Sequence, residues 1–154
     1  MAENYQKWNS WGRTRGPKNL GGANGMPVNV LESTTPLKGI TATTEGYDTE
    51  NQRYLHVLVT DTDTDAPAAT NVYGYCHAFQ RWFAIPQSAA NGAAPNAVNT
   101  ASTIAAPNDS GDAPADQVPT DRQYRRYDIA GIDKVAFVNE DASEVAVFAA
   151  CSTF

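Results

Sequence analysis

Three groupings in this 154-residue chain have residue types that can do chemistry. In the first, Asp61, Asp63 and Asp65 alternate like the carboxylates that open a calcium loop and converge on a hard cation. Such a loop needs Gly at its sixth position and Glu at its twelfth. Ala66 and Val72 stand there, so the segment reads as a solvated acidic hairpin tip. The second grouping holds His56, His77, Cys76 and Cys151. Zinc takes several close ligands, and no short-spaced His, Cys or carboxylate cluster accompanies either ring. Both histidines therefore read as structural, His56 beside Tyr54 and His77 between Tyr75 and Phe79. Cys76 precedes His77 directly, and adjacent strand residues point to opposite faces, so they cannot pair as nucleophile and base. The two cysteines sit in apolar runs and read as reduced core thiols rather than a disulfide framework. Asp128 and Asp133 read as edge or hairpin charges, and no glycine-rich phosphate loop opens a helix. The expectation is a non-enzymatic chain with no catalytic residue, cofactor or metal.

The third grouping lies at the N-terminus, where Tyr5, Trp8 and Trp11 recur every third residue among Lys7, Arg13 and Arg15, with Lys18 beyond. Amphipathic rings and planar cations suit anchoring on a protein surface; the alternatives are an arm folded back so that its rings fill one end of its own core, and stacking on nucleic acid. Tyr5, Trp8, Trp11, Arg13, Arg15 and Lys18 are the candidate partner-binding residues. Residues 1–22 hold four basic groups against one acidic, +3. Residues 23–154 hold seven against sixteen, −9, which together make the net −6. A basic arm thus precedes an acidic body, an arrangement suited to docking on an acidic surface, while the body would be repelled by nucleic acid. No apolar run approaches the roughly 20 residues of a membrane helix. The opening MAENYQKWNSWGRTRG lacks the apolar stretch of a secretory signal, so the chain is expected to be made in the cytoplasm or to have been processed already.

Positioning such residues falls to β-strands. Gly12, Gly16, Gly21, Gly22 and Gly25 with Pro17 exclude a regular helix or central strand over 1–26, which reads as an extended arm. Val28 and Val30 alternate in PVNVLES, and Ile40 follows in KGITATT, so two short strands are expected there. From Arg53, the residues Leu55, Val57 and Val59 share one face and Tyr54, His56, Leu58 and Thr60 the other. VYGYCHAFQRWFAI at 72–85 alternates over its whole length and reads as one long strand, bent near Gly74 or Gln80, that forms a hairpin with the strand from Arg53. Trp82 and Phe83 are assigned to the core. Residues 86–119 are Ala- and Pro-rich and form a long loop. Strands return at 122–130, 132–138 and 144–154, with NEDAS as a hairpin turn between the last two. With 42% hydrophobic residues, enough for one core, the fold class is all-β: an antiparallel β-sandwich, jelly-roll-like or a flattened barrel, over 27–154.

A small acidic β-sandwich with a basic, Trp-containing arm (MAENYQKWNSWGRTRGPKNLGG), a long Ala/Pro-rich excursion and a terminal strand EVAVFAACSTF resembles the tailed-bacteriophage capsid decoration, or cement, proteins. The resemblance is one of architecture and composition and covers the general plan of the chain. It implies a virion location on the capsid surface, the major capsid protein as partner, and a homo-oligomer, a trimer by preference, with no direct contact to nucleic acid or membrane. It also implies that Trp8, Trp11, Arg13, Arg15 and Lys18 grip the capsid. Other readings are a tail or head-fibre protein, or a carbohydrate-binding β-sandwich with Trp and Tyr platforms.

Overall fold

The computed structural model describes residues 17–35, 39–41, 43–61, 69–85, 103–104 and 122–153. Strands in chain order are β1 (Lys18–Asn19), β2 (Leu31–Glu32), β3 (Tyr47–Asp48), β4 (Tyr54–Asp61) and β5 (Thr70–Cys76). They continue with β6 (Arg81–Ala84), β7 (Thr103–Ile104), β8 (Arg122–Asp128), β9 (Lys134–Asn139) and β10 (Val145–Ser152). They form two sheets and no helix among the described residues. A four-stranded sheet has the order β1-β10-β4-β8. A six-stranded sheet runs β2-β9-β5-β6, with β3 also on β9 and β7 also on β5. All pairings are antiparallel except β2 with β9. The all-β sandwich is thus the observed class.

The core lies between the sheets and follows the sequence alternation. Leu55, Val57 and Val59 of β4 stand opposite Cys151, Ala149 and Val147 of β10, all buried. The facing sheet contributes Val72 of β5 and Val135 and Phe137 of β9, and Tyr127, Ile129 and Ile85 complete the buried cluster. Burial of such columns is the main favourable term of folding. β10 alternates buried and half-buried along its whole length, as a strand with one covered face must. β9 is buried on both faces after Lys134. Its outer side is covered near Gly39, whose Cα approaches Val138 so closely that a methyl group there would lie 3.1 Å from the valine.

Several expectations change on folding. β4 and β5 do not form a hairpin, because β4 lies between β10 and β8 while β5 lies between β9 and β6 in the other sheet. NEDAS likewise connects the two sheets, since β9 and β10 are not neighbours. An apolar column specifies which face of a strand is buried, and two strands facing one core from opposite sheets satisfy it as well as two paired strands. The run 72–85 is two strands, with a tight turn at His77–Gln80 and Gln80 in the left-handed region at φ 50°. Both Phe79 and Gln80 donate their N–H groups to the Cys76 carbonyl. The turn reverses the alternation, so Trp82 stands opposite Tyr75 and Phe83 opposite Gly74. Both rings are half-buried rather than central to the core. Around Ile40, residues 39–41 form no strand, and Val28 makes only an isolated bridge to Val147. A short strand, β7, lies within the Ala/Pro-rich stretch; most of that stretch and the loop holding Asp63 and Asp65 lie outside the described residues.

Candidate functional site

Of the arm residues, Tyr5, Trp8, Trp11, Arg13 and Arg15 lie outside the described residues. Lys18 is in β1, opposite Cys151, with its Nζ paired to the Glu50 carboxylate. The root of the arm is fastened along β10. Leu20 donates its N–H to the Ala149 carbonyl and Val28 to the Val147 carbonyl, each at 2.8 Å. Between them the Asn19 side-chain amide donates to the carbonyls of Ala23 at 2.6 Å and Met26 at 3.0 Å, closing the intervening turn.

The richest side-chain assembly lies elsewhere, on the outer face of the four-stranded sheet. Period two places Tyr54, His56 and Leu58 of β4 on that face, and the register sets them beside Asp128, Arg126 and Tyr124 of β8 and Ser152, Ala150 and Phe148 of β10. His56 is the hub. Its Nδ1 is hydrogen-bonded to Tyr124 Oη at 2.7 Å and its Nε2 to Ser152 Oγ at 2.8 Å. The two rings lie end to end through this bond, their centres 6.2 Å apart and their planes inclined by 23°. Burial and, after it, the nearby Arg126 cation hold the His56 pKa below its ordinary value, so the neutral ring donates through one nitrogen and accepts at the other. The guanidinium groups of Arg126 and Arg53 lie 4.9 and 5.2 Å from the Tyr54 ring centre, within cation–π range. Arg53 also reaches Asp128 at 3.4 Å. Beside this cluster runs an apolar groove of about 300 Å³, walled by Leu58, Phe148, Ala150 and Tyr124.

Ser152, His56 and Tyr124 have the distances of a nucleophile, a base and an orienting group. Acyl transfer also needs donors aimed at the developing oxyanion. β4 is laddered on both sides, whereas β10 is laddered on β4 along its length and on its other side meets β1 only at Ala150 and Cys151, with an isolated bridge at Val147. The two hydrogen bonds of the imidazole hold Tyr124 and His56 in place. Among the described residues no group of three or more His, Cys, Asp or Glu is placed to hold a metal ion.

Two further features stand on the six-stranded sheet. A cavity of about 510 Å³ beside β9 is lined by Thr41, Thr43, Thr44, Glu45, Tyr47 and Phe137. Its threonines already bond one another, with Thr41 N–H donating to Thr44 Oγ1 at 2.9 Å and the Thr41 and Thr43 hydroxyls 3.0 Å apart. The β5–β6 turn exposes Phe79 at its tip and is braced by the His77 N–H, which donates to the Asp133 carboxylate at 2.6 Å. His77 itself meets Tyr75 edge-on at 5.3 Å. Both cysteines are free thiols. Only Cys151 belongs to the core; Cys76, expected there, is half-buried at the end of β5, where the chain turns out toward solvent.

The outer-face cluster escaped the sequence reading because Tyr124 and Arg126 sit in RQYRRYD, which has no apolar column to draw attention. The available signal was a ring and a cation at consecutive positions of one strand face. No protein-family model, curated protein or solved structure matches the chain.

Proposed function

We propose that the protein is a non-enzymatic structural protein of a virus particle, a capsid decoration or cement protein that binds the outer capsid surface and stabilises the shell. The observation that carries the reading is the fastening of the arm's root. β1 is laddered onto β10, so tension on residues 1–16 passes through backbone hydrogen bonds into an interior strand of the sandwich. A tether joined to a rigid body in this way can bridge neighbouring subunits of the major capsid protein. Tyr5, Trp8, Trp11, Arg13 and Arg15 supply the ring and guanidinium anchors that dominate protein interfaces. Binding that favours the assembled lattice stabilises it by mass action. Symmetric copies, three by preference, fit attachment around a lattice axis.

The test begins with particles purified from the source culture on a density gradient, in which the chain should co-migrate with the major capsid protein. Particles stripped of it should then rebind the full chain and lose most binding when residues 1–16 are deleted. That deletion spares β1 and every other described strand, so the truncated protein should remain folded. Absence of the chain from particles, or equal rebinding of the two forms, overturns the proposal.

A further inference from the structure

We infer that the chain associates with copies of itself head to tail, the Phe79 tip of the β5–β6 turn of one copy seating in the cavity beside β9 of the next. The contact does not depend on the capsid reading.

Phe79 is 69% exposed, more than any other large apolar side chain among the described residues. Phenylalanine is among the residue types most often buried, and unlike tyrosine it has no polar group to place in water. The turn that carries it is fixed. The Phe79 and Gln80 N–H groups are bonded to the Cys76 carbonyl, and the His77 N–H donates to the Asp133 carboxylate at 2.6 Å. A ring presented on a braced turn gives up little further backbone freedom on docking, so more of its burial goes into affinity.

The cavity of about 510 Å³ arises from a break in the edge ladder of β9. β3 pairs with β9 as far as Val135 and β2 only from Val138, so on this edge Ala136 and Phe137 face no strand among the described residues. The floor is apolar, formed by Phe137 with the half-buried Leu31 and Tyr47, and the rim is polar, with Thr41, Thr43 and Glu45 exposed. An apolar pocket within a polar rim is the setting in which one aromatic side chain contributes most to association. Glu45 is the one charged group in the described lining. Arg81, exposed and two positions beyond Phe79, donates its Nη1 to the Gln80 carbonyl at 3.0 Å, which keeps the guanidinium at the turn. Its other N–H groups meet Glu45 at the rim when the ring is seated. The groove on the four-stranded sheet is apolar too, but its described lining holds no carboxylate to receive Arg81.

The ring must come from a second copy. In the six-stranded sheet, ordered β2-β9-β5-β6, the cavity lies on the outer edge of β9 and the turn joins β5 to β6, so the β9–β5 ladder separates the two. A knob and a cavity on opposite sides of one sheet make a contact between unlike surfaces, which closes into a ring when its rotation allows.

The test is sedimentation velocity of the full chain over a concentration series reaching the millimolar range, with no capsid present. The wild type should associate reversibly. Phe79→Ser, at an exposed position, should keep the wild-type circular dichroism spectrum and weaken association about thirtyfold or more, the scale of one lost hot-spot ring. Arg81→Glu and Glu45→Arg should each weaken association, and the two changes in one chain should restore it. Thr43→Trp, which fills the cavity from its rim, should abolish association, and the charge exchange keeps the test decisive if that variant folds poorly. Phe79→Ser and Thr43→Trp chains should form a one-to-one dimer when mixed, through the intact cavity of the first and the intact Phe79 of the second. A monomeric wild type, association that survives Phe79→Ser, or a charge-exchanged chain that fails to recover overturns the inference.

Discussion

At the scale of single residues, two titrating groups report the two faces of β4 and β10. His56 stands on the outer face, where burial and Arg126 depress its pKa, so the folded protein favours the neutral ring. An unfolded chain takes up the proton more readily, at about the ordinary imidazole value of 6.5. The corresponding stability is therefore present above that pH and lost as pH falls through the depressed folded value. Melting temperatures measured from pH 8 downward should be flat to about 6.5 and then decline, and the decline should be shallower in His56→Gln. Identical profiles would show that His56 is not the group responsible. Cys151 stands on the inner face, and its thiol pKa is pushed up to about 12, first by burial and then by Glu50. The thiolate is the reactive form, so this thiol is inert at neutral pH. In the native protein a thiol-specific reagent at mildly alkaline pH should label the half-buried Cys76 and leave Cys151 until unfolding. Rapid native labelling of both would place Cys151 outside the core.

At the scale of elements, the turns decide what the strands present. Gly46 leads into β3 with φ at +64°, and a methyl group there would lie 2.5 Å from the Trp82 ring and 2.9 Å from the Val135 carbonyl. Trp82 is thereby packed against the segment that crosses the outer side of the six-stranded sheet. Gly46→Ala should combine left-handed backbone strain with a clash against a half-buried ring and cost about 2 kcal/mol or more, read by denaturant titration. A loss below about 0.5 kcal/mol would mean that the segment moves aside freely. β1 and β2 illustrate a different control. Each is two residues long, too short to signal itself by periodicity, and each exists because a long neighbour, β10 or β9, offers a ready ladder. The residues proposed for docking stand out in the arm by type and spacing. The manner in which the arm joins the body depends on a pairing between residues more than a hundred positions apart, Lys18 and Cys151.

At the scale of the whole molecule, both sheets share one core, and the connections from β4 to β5 and from β9 to β10 pass from one sheet to the other. Phe137 from one sheet and Val57 from the other belong to the same buried cluster. Truncating either should weaken the entire sandwich. Phe137→Ala should cost about 3–5 kcal/mol and leave a single unfolding transition, seen alike by far-UV circular dichroism and tryptophan fluorescence. Two separated transitions would mean that the sheets unfold independently. The molecule also segregates charge, with arginines gathered along β8 and the head of β4 and an acidic surplus over the rest of the body.

What the amino-acid order determined by itself was the class of fold and the buried face of each long strand. Leu55, Val57 and Val59, or Val145, Val147, Ala149 and Cys151, can be read directly because side chains alternate with period two and one face must leave water. Strand neighbours were decided only by tertiary packing. A ladder is made by backbone groups common to every residue, so β4 carries no local mark saying that it pairs with β10 and β8 rather than with β5. The same holds for the outer-face cluster. Tyr124, His56 and Ser152 come from three separate strands, and their hydrogen bonds arise from the register in which β8, β4 and β10 lie side by side. Register follows from how the apolar columns of both sheets close on one another, and no stretch of sequence shorter than the fold contains that information.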